Sequence, residues 1–263
     1  MHATTIDDAI ALMDEIIAHA IQSGSRAGYF AALYRKVTVK IKEEIARGFF
    51  DDNPRMETFD VIFANRYLKA YHQWQTGKQP TMVWQTTFQA QENWRPLVLQ
   101  HLLLGMNAHI NLDLGIAAAR TAPGNDLPAL KNDFDRINSV LAGLVNTVLG
   151  GLIAIWPPLR LLTLGKADDV IINFSMERAR DQAWKLAQTL APLPLDEQED
   201  EIRDVDYQMT RIGMELAEPD FLLRTALLPI RLSERGTVAE KIALLNQPPQ
   251  EMEFATLSLL LNN

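Results

Sequence analysis

The stretch His101-Leu102-Leu103-Leu104-Gly105-Met106-Asn107-Ala108-His109-Ile110-Asn111-Leu112-Asp113-Leu114 decides how this chain is read. At 100° per residue, His101, Gly105, His109 and Asp113 fall on one helical stripe about 120° wide, and Asn107 and Asn111 form a column on the opposite side. The other positions are Leu, Ile, Met or Ala, so no face is left for solvent. A helix that is apolar all round is a buried one. The spacing therefore predicts a central helix over about 97–119, carrying polar groups that need partners, because an unpaired buried polar group costs about 1–3 kcal/mol. Gly105 adds about 1 kcal/mol of mid-helix cost relative to alanine, which calls for something approaching the backbone there.

Two chemistries fit this cluster. In the first, His101, His109 and Asp113 supply imidazole and carboxylate ligands to a divalent metal ion, as helical bundles do, and the metal activates water or polarises a substrate oxygen. His109 is then ligand or general base, Asp113 ligand or orienter, and Asn107 or Asn111 a positioning donor. In the second, each imidazole donates to a neighbouring helix and the cluster only fixes register. No H-E-x-x-H or E-x-x-H spacing supports the metal reading.

Working outward, helical periodicity dominates and no alternating pattern with hairpin turns competes. Helices are expected over about 5–22, with Thr5 as N-cap before Asp7 and Asp8, then 27–47, 57–75, 81–93, 97–119, 128–149, 168–191, a helix opened by the acidic stretch 196–206, and short ones over 219–232 and 237–245. Gly150-Gly151 is expected to loosen the end of the 128–149 helix. The sum is an all-α bundle around the central helix, a single domain over 1–263, with its core at about 5–245 and a tail over 246–263.

Neighbouring helices offer partners for the cluster. Asp60 and Tyr67 share a stripe with Ala64, Tyr71 and Trp74, which puts a carboxylate on an aromatic face that should be core. Asp133 and Asp135 read as acids of a first helical turn, while Asp135 and Asn138, at i,i+3, could also project together toward the site. Arg180, four residues before Trp184, reads as a cation for one of these acids or as one simply packed on the indole.

Composition narrows the functional classes. The 263 residues carry a formal charge of −8, with 48% hydrophobic and 22% charged residues and no cysteine. That excludes disulfides and thiolate chemistry, and the absence of a Lys/Arg stripe argues against nucleic acid. The first residues lack a signal-peptide pattern, which makes the cytoplasm the expected compartment. Ile137 to Leu159 contains no charge over 23 residues. Its polar residues and glycines point to a buried helix rather than a span, with membrane-surface contact as the alternative. Phosphate-binding and nucleophile-elbow motifs are absent.

The H-x-x-x-G-M-N-A-H-I-N-x-D-L string, with Phe59-Asp60-x-x-Phe63-Ala64-x-x-Tyr67-x-x-Ala70 and Phe174-Ser175-x-x-x-Ala179-Arg180-x-x-Ala183-Trp184, resembles an uncharacterised bacterial all-helical family of unknown function, over roughly 30–190. That resemblance implies a fold and a site location but no activity. The residues themselves lead to an enzyme-like pocket lined by His101, His109, Asp113 and Asp60, holding an unknown small molecule and a divalent metal for hydrolytic or other acid–base chemistry. The alternative is a non-catalytic bundle that binds an apolar ligand or a partner helix through Gly143–Ile155, and the plainest reading is a structural cluster.

Overall fold

The computed structural model describes residues 1–159 and 176–247, and among them there is no strand and 80% of residues are helical. The tail expected over 246–263 falls almost wholly outside the described residues, as do Phe174 and Ser175 and the start of the 168–191 helix.

α1 (Ile6–Ser23) starts on a reciprocal cap between Thr5 and Asp8 and buries Ile6, Ala9, Met13, Ile16, Ile17 and Ala20, a stripe at 3–4 spacing. It stops at Gly24, whose φ of +67° lies in the left-handed region that favours glycine. α2 (Ala27–Ala46) follows at once. α3 (Asn53–Gln75) takes in the Asn53-Pro54 pair that the sequence places just before the helix, because Asp52 accepts from the Arg55 amide and Pro54 fits a first turn.

α4 (Met82–Glu92) has no cap of its own making. Asp206 reaches it from α9 (Gln198–Ala217) and accepts from the Met82 and Val83 amides at 2.7 and 2.9 Å. The central helix forms as α5 (Val98–Ala108), a π-helical turn over His109–Asp113, and α6 (Leu114–Thr121). It is enclosed by α2, α3, α9 and α8 (Met176–Leu190). Two glycines set those approaches. A Cβ on Gly105 would stand 2.3 Å from the Phe30 ring, and one on Gly115 would stand 2.6 Å from the Ala183 carbonyl. Phe30 is the approaching group that the cost of Gly105 called for.

α7 (Leu127–Ile155) continues past Gly150-Gly151 instead of ending there. Leu152 and Ile155 beyond the pair are buried, and α11 (Val238–Asn246) brings Leu244 and Leu245 against Gly151, so burial outweighs the glycine cost. Within the uncharged segment Ile137, Val140, Leu144, Leu152, Ile155 and Leu159 are buried in the core. α10 (Phe221–Ser233) lies between α9 and α11 in sequence. Buried residues from Ala3 to Leu245 join one hydrophobic cluster. Among the described residues one helix, Val98–Thr121, is long and apolar enough to cross a membrane, and 83% of that window is buried within the fold.

Candidate functional site

The π-helical turn is the local feature that organises the site. The Leu114 amide bonds the His109 carbonyl five residues back, so the turn is wider than its α-helical neighbours. Such turns recur at functional sites. His109 and Asp113 sit at its two ends and face each other, with Nδ1 to Oδ2 at 3.2 Å.

Asp113 has no solvent exposure and spends both oxygens on partners from other helices. Arg66 Nε donates to Oδ1 at 2.8 Å from α3, and Trp84 Nε1 donates to Oδ2 at 2.8 Å from α4. Burial alone would push the carboxyl up. The Arg66 guanidinium, with the His109 and Trp84 hydrogen bonds, outweighs it and holds Asp113 below the usual carboxylate range. An ionised carboxylate only accepts, so His109 must donate from Nδ1 and keep the lone pair on Nε2.

That Nε2 is buried and has no partner. Burial drives the His109 imidazole below its ordinary value despite Asp113, so the ring is neutral at pH 7. Around it stand aromatic rings. Phe63 stacks on it at 3.7 Å between centroids with planes 7° apart, and Tyr34 meets it edge-on at 4.3 Å. Phe30, Tyr67 and Trp84 complete the box at 5.8–6.2 Å. Phe63 is only half-buried whereas His109 is buried, so one phenyl ring is what covers this face of the imidazole.

Asp60 lies one turn before Phe63 on α3. Its Oδ2 is buried without a partner, and burial, with the charge of Glu57, raises its pKa to about 7. The Tyr34 hydroxyl is also buried and makes no well-formed hydrogen bond, with the Thr38 side chain in its vicinity. Burial and then the charges of Asp60 and Asp113 push it well up, which puts Tyr34 within electrostatic reach of both carboxylates. Three orphaned polar atoms (His109 Nε2, Tyr34 Oη and Asp60 Oδ2) thus belong to side chains that pack around Phe63 or adjoin it on α3. Buried polar groups in native proteins are usually paired, so this concentration is unusual.

The other sequence-predicted residues divide. Tyr67 belongs to the box. Asn107 and Asn111 bond each other at 3.0 Å on the far side of the helix, and Asn107 donates to the Met209 carbonyl, so they tie the helix to α9. His101 is buried in separate surroundings, beside Tyr29, with Arg26, Arg231 and Lys241 as its electrostatic neighbours. Burial, helped by those cations, takes its pKa down to about 3. Both its ring nitrogens lack partners.

Asp135 is exposed and pairs with Lys131 at 2.5 Å. Neither it nor Asp133 is in a first turn, because α7 starts at Leu127. Asp133 is buried and holds the entry to α3, accepting from the Asp51 and Asp52 amides and from Arg55. Arg180 lies over the Phe134 ring at 4.5 Å and donates to the Phe134 carbonyl. Its electrostatic neighbours are Asp135 and Asp181, not Asp60 or Asp113.

Among the described residues no group of three or more His, Asp or Glu stands close enough to hold a divalent metal, since His101 keeps apart and Asp113 is already filled by Arg66 and Trp84. Two adjoining surface hollows, of 460 and 250 Å³, lie between α4, α9 and α10 and are not lined by His101, His109 or Asp113.

Arg66, Trp84, Tyr34 and Phe63 escaped the sequence reading as site residues. Each comes from another helix than the motif, and periodicity within a helix does not say which neighbour it meets. The one available signal was the Asp60–Phe63–Tyr67 spacing, which sets a carboxylate and two rings on one face.

The model of a family of unknown function (DUF5995) matches residues 6–219. The chain belongs to this DUF5995 family. The match takes in α1 to α9, and with them every residue of the site; it ends before α10. No curated protein and no solved structure matches the chain.

Proposed function

We propose that this DUF5995 protein is an acid–base enzyme in which His109 is the general base, oriented by Asp113, and Asp60 a proton donor, acting on a small, largely apolar substrate such as an ester. The observation that carries this is the unpartnered, buried Nε2 of a histidine whose Nδ1 is tied to an ionised aspartate. Geometry of that kind holds one tautomer and leaves a lone pair free to take a proton. Further support comes from the opposite protonation states of the two carboxyls, since Asp113 is held low and Asp60 is raised to about 7. Environments that push two titratable groups apart supply a base and an acid at one pH.

Substrate reaches His109 by displacing Phe63, whose ring covers it. The aromatic box then holds the apolar part of the substrate, and Arg66, whose charge acts on His109, offers a fixed positive charge for a developing oxyanion. The proton balance is simple. His109 Nε2 takes a proton from water as it attacks the carbonyl, and Asp60 gives one to the leaving oxygen. No step runs through a metal.

A structural reading is the competitor, and it also has an observation behind it. Arg66, Asp113, Trp84 and His109 join α3, α4 and the central helix in one hydrogen-bonded group. Hydrolysis of p-nitrophenyl acetate and butyrate by wild type and by His109→Gln separates the two. The proposal predicts wild-type turnover above the variant by about 100-fold or more, the usual reach of a general base. Turnover equal in both proteins, with the variant merely lower in Tm, would leave the group structural.

A further inference from the structure

His101 takes no part in the His109 site. It is 1% exposed, and both its ring nitrogens are buried without a partner. Val98, one turn earlier on the same side of α5, gives its amide to Glu234 Oε1 at 2.8 Å. From α2 the Tyr29 ring stands 5.7 Å from the imidazole. Arg26, three residues before Tyr29 and so on the same side of α2, has a buried Nε that also lacks a partner. Three orphaned nitrogens thus border the corner between α2 and α5.

α10 and α11 close this corner with two more cations. Arg231 and Lys241 both donate to Glu234 Oε2, each at 3.1 Å. Lys241 is buried, and Arg26 spends only Nη1 on a partner, the Gln91 carbonyl at 3.1 Å. The charges that act on Arg26, Tyr29 and His101 come from this group itself, with Glu234 as its one carboxylate among the described residues. Glu240, beside Lys241, is spent on Thr237, and exposed Glu92 acts on none of the three. Asp220 and Glu218 lie at the other end of α10, about three turns from Arg231. Three cations against one carboxylate leave two positive charges over. Burial without enough counter-charge is costly, and it pulls the pKa of both Arg26 and Lys241 down.

We propose that this corner binds a phosphate dianion, held by Arg26, Arg231 and Lys241 with His101 on its inner side. An oxyanion supplies the acceptors that the spare donors lack, and its two negative charges match the surplus. Guanidinium and ammonium groups together are the side chains that recognise phosphate. Access is open from one side. The 250 Å³ hollow reaches Gln100, next to His101, and Leu227 and Leu228, one turn before Arg231; Arg26 and Arg231 are themselves only half-buried. The site is separate from the chemistry assigned to His109 and does not depend on it.

Thermal melts of the full chain in sodium phosphate and in sodium chloride, at matched ionic strength and about pH 7.5, test this; phosphate is mostly dianionic there. Tm is expected to climb with phosphate beyond its value in chloride, as ligand binding to the folded state requires. In histidine-labelled protein, phosphate should shift the His101 ring signals and raise its pKa from about 3, because a nearby dianion favours the imidazolium. Arg26→Gln, at a half-buried position, should weaken phosphate binding about tenfold or more, and Lys241→Met should do the same in protein that is folded by circular dichroism. His109→Gln should leave it unchanged. Glycerol phosphate in place of inorganic phosphate distinguishes a monoester from the free ion, the tighter of the two being the form the corner accepts.

A phosphate effect no larger than that of chloride would overturn the proposal. So would one that Arg26→Gln leaves unchanged, or His101 signals that phosphate does not move.

Discussion

Asp60→Asn should stabilise this protein, and the gain should depend on pH in a way only a buried carboxyl can produce. Asp60 is buried with one unpartnered oxygen, and its pKa rises from 3.8 unfolded to about 7 folded. Between those values the folded state holds a proton that the unfolded state has lost. Stability therefore falls as pH rises, by about 1.4 kcal/mol per pH unit, until the folded carboxyl ionises. Over roughly three units that comes to about 4 kcal/mol, fully expressed above about pH 7 and absent below about pH 4. Asparagine does not titrate, so the variant escapes this loss. Its extra amide donor costs about 1–3 kcal/mol if it finds no partner, but that cost is the same at every pH. Urea unfolding of both proteins, repeated at pH steps from about 4 to 8, separates the two effects. The variant-minus-wild-type difference should climb between about pH 4 and 7 and then level off. A flat difference would mean that Asp60 ionises freely in the folded protein, and the proton donor assigned to the site would be lost.

Two further outcomes follow from the packing and the burial. Gly105→Ala gains about 1 kcal/mol of helix propensity but sets a Cβ 2.3 Å from the Phe30 ring; overpacking of that kind costs about 1–3 kcal/mol. Net destabilisation is expected in urea melts, with partial recovery when Phe30→Leu is added. His101, held neutral down to about pH 3, has the opposite sign to Asp60. The unfolded chain takes up a proton below 6.5 and the folded one does not, so stability falls with falling pH, by about 2 kcal/mol at about pH 5. His101→Leu should flatten that acid limb of the stability profile.

The helices were legible in the sequence because their signals are local. Thr5 with Asp8, and the Ile6-to-Ala20 stripe, specify α1 without reference to anything else. The polar string on the central helix was legible for the same reason, since an all-apolar surround gives away burial. What could not be read was non-local. A uniform 100° per residue put His101, His109 and Asp113 on one stripe, whereas the π turn and the crossing helices give His101 cationic neighbours and leave His109 with Asp113. Asp133 looked like a dipole-stabilising acid because its partners, the Asp51 and Asp52 amides, lie over 80 residues away. Gly150-Gly151 looked like a helix end because the helix that packs on it, α11, comes much later in the chain.

The central claim is that His109 is neutral, protonated on Nδ1 toward Asp113, with a free lone pair on Nε2. Long-range nitrogen–proton NMR on histidine-labelled protein reads this directly, with His109→Gln assigning the signal. One ring is expected whose Nε2 is unprotonated and takes up its second proton only below the ordinary histidine value. An Nε2–H tautomer, or a ring that titrates at or above the ordinary histidine value, would contradict it.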